Sequence, residues 1–212
     1  LGINVDFAPV LDVNTNPHNP IIGERSFGPD PQFVAEVGKL FVRGMQEKGV
    51  LACGKHFPGH GDTDQDSHLT LPVVDQPVER LYTVELVPYR ELIGHGLRAI
   101  MTAHVLYPAL DPEHPATFSP MILGEILRKE LGFEGLIVTD DMGMAGSLSQ
   151  ADLPEACIQA FVAGCDLLLV CENHDRHEEI IEALRKSIHK SEALKKRAQE
   201  SIERLRSVTR DF

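Results

Sequence analysis

An α/β fold, specifically a (β/α)8 TIM-type barrel that lacks its N-terminal strands in this chain, is what the sequence predicts, on three observations. Short apolar runs rich in Val, Ile and Leu alternate with amphipathic stretches along most of the chain, the pattern of parallel strands buried on both faces between helices. Asp12, His56, His104 and Asp140 fall at or just beyond the C-terminal ends of different predicted strands, where barrels gather reactive groups. No GxGxxG fingerprint follows a strand, so the main sign of a doubly wound nucleotide-binding sheet is missing.

In chain order, the apolar runs at 5–13, 50–57, 99–105, 135–139 and 165–170 read as buried strands. Between and after them, amphipathic patterns predict helices over 31–48, 77–95, 120–131, 153–163 and 177–190, with a charged closing helix over 192–208. The helix at 120–131 is the best defined, with Ser119 placed as N-cap, Pro120 as first helical residue and Gly132 at its stop. A complete barrel needs about 250 residues and eight strands. The first units are therefore expected upstream of Leu1, and residues 1–212 are taken as one N-terminally incomplete barrel domain.

With 42% hydrophobic and 25% charged residues, the chain has the make-up of a globular domain. Its 32 acidic against 20 basic residues give a formal charge of −12, which repels nucleic-acid phosphates and anionic lipid. Apolar runs fall far short of the ~20 residues that span a bilayer, so no membrane association is expected. Cys53, Cys157, Cys165 and Cys171 show no CxxC spacing, and at least three lie in apolar patterns as small hydrophobes. A Cys165–Cys171 disulfide is disfavoured within one strand or its edge. A reducing, cytoplasmic location follows, although a signal peptide would lie upstream of Leu1.

Chemistry concentrates in the segment from Lys55 to His68, where a lysine, three histidines, two glycines and three aspartates follow a buried strand. Its glycines and proline suit a loop that folds over a pocket and closes on a ligand. Asp66 and His68 stand two apart, close enough in a turn for the carboxylate to hold one ring nitrogen while the other moves protons. Alone, an Asp-x-His of this kind reads rather as a turn cap, and the surrounding loop turns the reading toward chemistry. A metal reading rests on His56, His60 and the alternating Asp62, Asp64 and Asp66. Against it, Pro58-Gly59 interrupts the histidine pair, and the acidic run does not match a calcium loop, so no metal and no cofactor are expected.

The strand at 135–139 ends in Asp140 and Asp141. A carboxylate held on a rigid strand suits covalent displacement at a sugar's anomeric carbon, because aim matters more than reach. Asp141 points the opposite way if the strand persists and reads as a cap or hydrogen-bond partner. Taken alone, the segment also permits both aspartates to cap the next helix.

Three separated blocks carry a resemblance: Gly23-Glu-Arg-Ser-Phe-Gly28, Lys55-His-Phe-Pro-Gly-His-Gly61 running on to Asp66-Ser-His68, and Val138-Thr-Asp-Asp-Met-Gly-Met144. From Leu1 to about Val170 the chain resembles family-3 glycoside hydrolases, specifically the bacterial β-N-acetylglucosaminidases of cell-wall recycling. The resemblance implies Asp140 as nucleophile, His68 supported by Asp66 as general acid/base, and Arg25, Lys55 and His56 as hydrogen-bond donors to the sugar. By itself Arg25, between Glu24 and Ser26, reads as a surface ion pair. The implied activity is retaining, exo-acting removal of terminal β-linked N-acetylglucosamine from peptidoglycan fragments such as muropeptides. Two alternatives stand beside it: an N-acetylglucosaminide phosphorylase, because an imidazole repels phosphate less than a carboxylate does, and a sugar-binding barrel without turnover. Further sugar-clamping residues of the family lie upstream of the segment that matches Leu1.

Overall fold

The computed structural model describes residues 2–65, 71–144, 152–171 and 174–210. Five strands, β1 (Val5–Asp6), β2 (Leu51–Phe57), β3 (Ala99–Thr102), β4 (Leu136–Asp141) and β5 (Leu167–Leu169), form one parallel sheet in the order β1-β2-β3-β4-β5. Strand order equal to chain order means that the winding never reverses. A doubly wound sheet has such a reversal, and its absence among the described strands makes this a half-barrel.

The strand expected over 5–13 is regular only at its start. Val5 and Asp6 pair with Leu51 and Ala52, and a further bridge joins Val10 to Lys55. Hydrogen bonds still run alongside β2 as far as Leu11, whose N–H reaches the Lys55 carbonyl at 2.6 Å. Pro9, which has no N–H to give, interrupts the ladder between these stretches.

Helix α1 (Pro31–Gln46) starts on Asp30, whose carboxylate accepts from Phe33 N–H. The single helix expected over 77–95 is two, α2 (Val78–Thr83) and α3 (Val87–Gly94), separated by Val84 at φ −126°, ψ −73°. In an unbroken helix the Pro88 ring would strike the Val84 carbonyl, so the chain turns and restarts with Pro88 in the first helical turn. Helix α4 (Met121–Glu130) is of the wider π type, with Leu131 N–H bonded to the Ile126 carbonyl. Ser119 Oγ accepts from Ile122 N–H at its start, and Gly132 takes φ +67° just past its end. Helices α5 (Leu153–Ala163), α6 (His177–Lys190) and α7 (Glu192–Thr209) follow within about one residue of expectation.

Strand alternation divides the core. Ala52, Ile100 and Ile137 join the cluster beneath the helices, while Leu51, Cys53, Ala99, Met101, Leu136 and Val138 form a second cluster on the other face. Continuing that second series by two places gives Lys55 on β2 and Asp140 on β4. At the opposite strand ends, Asp166 ties β4, α4 and α7 together. Its fully buried carboxylate accepts from Ile137 N–H, Arg128, Arg197, Arg204 and Ser201. The four cysteines are unbridged; burial pushes the Cys53 thiol up to about 12 and Cys157 to about 11. Among the described residues no helix is long and apolar enough to cross a membrane.

Candidate active site

At the C-terminal mouth of the strands, Arg25, Lys55, His56, His60 and Asp140 border one cavity of ≈ 250 Å³, with Phe7, Met101 and Leu169 as part of its apolar wall. Four of the residues expected from sequence to handle a sugar therefore meet. They come from the turn at Gly23–Arg25, the end of β2 and the end of β4. Asp66 and His68 lie outside the described residues.

Asp140 keeps 27% of its side chain exposed, and its Oδ1 accepts from the Asp141 N–H at 2.8 Å. Burial alone would raise its pKa, but the fields of His56 and His104, the Asp141 N–H and Lys55 outweigh that and hold the carboxyl below its ordinary value. Burial lowers the pKa of His104 itself. The His104 ring is fixed by its neighbours: Nε2–H donates to the Asp141 carbonyl at 3.1 Å, and Nδ1 lies 2.9 Å from Thr117 Oγ1. Asp141 serves as the hydrogen-bond partner the sequence suggested. Its Oδ1 accepts from Gly143 and Cys171 N–H, tying the end of β4 to the chain that leaves β5.

Beneath His56 lies a residue whose part the sequence did not disclose. Asp12 is fully buried; its Oδ2 sits 2.8 Å from His56 Nδ1, and its Oδ1 accepts from the N–H groups of His56 at 3.1 Å and His60 at 2.6 Å. Burial opposes ionisation, yet the charges and hydrogen bonds of His56 and His60 prevail and lower the Asp12 pKa. On its other edge, His56 Nε2 faces Asp140 Oδ2 at 3.8 Å. The peptide joining Lys55 to His56 is cis.

The described part of the loop is anchored from Gly59 to Thr63, whose carbonyl accepts from Asn16. Tyr107 donates to the Gly59 carbonyl, and Asn19 donates to the His60 carbonyl at 2.8 Å. The same Asn19 accepts from Ile21 and Ile22 N–H, which sets the turn carrying Arg25, while Ser26 donates to the Asp12 carbonyl. Gly61 is needed for contact, since a Cβ there would stand 1.9 Å from the Val13 carbonyl oxygen. Of the side chains considered for a metal, His56, His60 and Asp62 are engaged otherwise, His56 with Asp12. His60 Nδ1 pairs with Thr63 Oγ1, and Asp62 accepts from Thr15 and Gln76. Among the described residues no group of three or more His, Cys, Asp or Glu is placed to hold a metal ion.

Parallel strands wound in one direction, with a carboxylate, imidazoles and an ammonium at their C-terminal mouth, define a (β/α)-barrel that carries its site at the strand ends. Within that class the chain belongs to glycosyl hydrolase family 3, because residues 1–208 match the family's N terminal domain. A β-hexosaminidase of Alkalilimnicola ehrlichii is 46% identical over 173 residues, which cover 82% of this chain and 49% of that protein. A family 3 β-N-acetylglucosaminidase from Paenibacillus sp. str. FPU-7 superposes with a TM-score of 0.94 at 45% identity, covering 99% of this chain and 40% of its own. The β-glucoside phosphorylase BglX superposes with a TM-score of 0.91 at 29% identity, covering 99% of this chain and 39% of its own. The chain spans about half the length of the curated relatives it matches.

Proposed function

We propose that the protein containing this chain is a retaining, exo-acting β-N-acetylglucosaminidase that removes terminal β-linked N-acetylglucosamine from peptidoglycan fragments. The observation that carries the reading is the meeting of Asp140, Lys55, His56 and Arg25 around one cavity. A sugar ring presents hydroxyls that charged donors bind well, Lys55 and Arg25 supply such donors, and His56 adds a ring nitrogen that can hydrogen-bond a hydroxyl. An ionised carboxylate at the cavity wall supplies the nucleophile.

In the proposed reaction Asp140 attacks the anomeric carbon and forms a glycosyl ester, while the glycosidic C–O bond breaks and His68 gives its proton to the departing oxygen. His68, steadied by Asp66, then takes a proton from water, which displaces Asp140 and releases the sugar with its configuration kept. Histidine suits both halves because its ordinary pKa of about 6.5 lets it give and recover a proton near neutrality. Four unbridged thiols, three of them buried, accord with a cytoplasmic setting, where such fragments would be recycled.

The full-length protein tests this with nitrophenyl glycosides. Cleavage of the N-acetyl-β-glucosaminide should far exceed that of the β-glucoside, and Asp140→Ala should abolish it. Equal rates on the two sugars, or an active Asp140→Ala, would overturn the assignment. A second reading, phosphorolysis, is favoured by the likeness to a protein described as a β-glucoside phosphorylase. It requires a sugar 1-phosphate product in phosphate buffer, and release of free sugar alone there excludes it.

A further inference from the structure

We propose that Asp12 is a positioning residue of this site: its carboxylate holds the His56 ring with Nδ1 protonated and Nε2 turned toward Asp140, and ties that strand end to the loop at His60. Its part in turnover rests on the glycosidase reading above, whereas the placement of the ring proton does not.

Three donors converge on the two oxygens of Asp12: His56 Nδ1 at 2.8 Å, His56 N–H at 3.1 Å and His60 N–H at 2.6 Å. A carboxylate only accepts, so the proton between Asp12 and the ring sits on Nδ1. That fixes which edge of the imidazole is left for the cavity. Nε2 is the remaining nitrogen, and it stands 3.8 Å from Asp140 Oδ2, close enough for both to reach one sugar but beyond direct hydrogen-bond range. Were the ring turned over, a carbon would face the cavity and the buried acid would lose a charge-assisted partner.

Asp12 is itself hard to move. The Leu11 N–H before it bonds the Lys55 carbonyl, and its own carbonyl accepts from Ser26, next to Arg25. One buried residue thereby relates Arg25, Lys55, His56 and the base of the loop leading to His68.

The test uses full-length protein labelled with 15N at histidine, the His56 signals being assigned by their loss in His56→Gln. A protonated Nδ1 on His56 is expected in the wild type, and an unprotonated Nδ1 would overturn the proposal whatever the enzyme does. Asp12→Asn keeps the shape and removes the obligate acceptor. It should lower kcat/KM on the nitrophenyl N-acetyl-β-glucosaminide about 10- to 100-fold. Combined with His56→Ala, it should cost no more than about 3-fold beyond His56→Ala alone, because both changes remove one unit. Fully multiplying losses, or an Asp12→Asn with wild-type kcat/KM, would reduce Asp12 to a packing role. If Asp12→Asn fails to fold, or if the wild type cleaves no glycoside and the hydrolase reading fails, the wild-type ring signal alone upholds or overturns the proposal.

Discussion

Gly61→Ala is the sharpest probe of how the loop and the strand ends are fitted together. The added methyl would lie 1.9 Å from the Val13 carbonyl oxygen and 2.4 Å from its carbon, both backbone atoms that no rotamer change can clear. Non-bonded carbon and oxygen do not approach closer than about 3 Å, so the two segments must part by about 1 Å. Val13 follows Asp12, and Gly61 follows His60, whose N–H bonds Asp12 at 2.6 Å. The same separation stretches that bond past the roughly 3.2 Å limit of a useful N–H···O contact. Overpacking costs about 1–3 kcal/mol, and a lost hydrogen bond to a buried charge about 1.5–3 kcal/mol, giving roughly 3–5 kcal/mol in all. At roughly 2–4 °C per kcal/mol, Tm should fall by roughly 6–20 °C, with kcat/KM falling alongside. Gly44→Ala provides the contrast: this exposed glycine in α1 has nothing within 4 Å of a Cβ, and alanine should stabilise by about 1 kcal/mol. Melting curves and nitrophenyl kinetics on both variants decide the matter. A Gly61→Ala that melts and turns over like the wild type would refute the steric reasoning.

Asp140→Asn should keep the fold and lower kcat at least about 10⁴-fold, and added azide should restore product as the α-glycosyl azide; a β-azide would contradict attack by Asp140. His68→Ala should lower kcat/KM, which reports the first step, far more on natural β-linked disaccharides than on nitrophenyl glycosides, whose leaving group needs no proton, and a uniform kcat/KM loss on both would remove His68 as the acid. Asp166→Asn should destabilise by about 3–5 kcal/mol through its stranded arginines, and in folded protein leave KM unchanged. Burial would raise the Asp166 pKa, but the Ile137 N–H, Arg128, Ser201 and Arg197 together lower it. Its contribution is therefore present above the unfolded value near 3.9 and lost as pH falls through the folded one, so acid melts should show a step that Asp166→Asn lacks.

Periodicity made the strands and most helices legible, because buried parallel strands and amphipathic helices write themselves as local patterns. The misjudged places were those where one residue countermands its neighbours. Pro88 splits the stretch over 77–95, and Pro9 breaks the ladder in the first strand. Both signals were in the sequence, but a pattern averaged over a dozen residues conceals them. Motifs singled out Arg25, Lys55, His56 and Asp140, and these four border one cavity. Asp12 was legible only as a polar residue at a strand end. Its partners stand 44 and 48 positions along the chain, beyond what any local spacing encodes, and the bonds exist only once β1 and β2 lie side by side.

Two carboxylates flank His56, and their surroundings explain why the proposed attack on a sugar is assigned to Asp140 and not to Asp12. Asp12 has no exposed surface and three donors across its two oxygens, so its electron pairs are committed and no substrate can reach it. Asp140 accepts one backbone N–H on Oδ1, and its Oδ2 is turned toward His56 across a gap too wide for a hydrogen bond. Both are kept ionised against burial by charges and donors around them, so ionisation alone does not tell them apart. Access and uncommitted lone pairs do. The mouth of the half-barrel thus carries one acid that spends its charge on geometry and another that borders the cavity, with the imidazole of His56 between them.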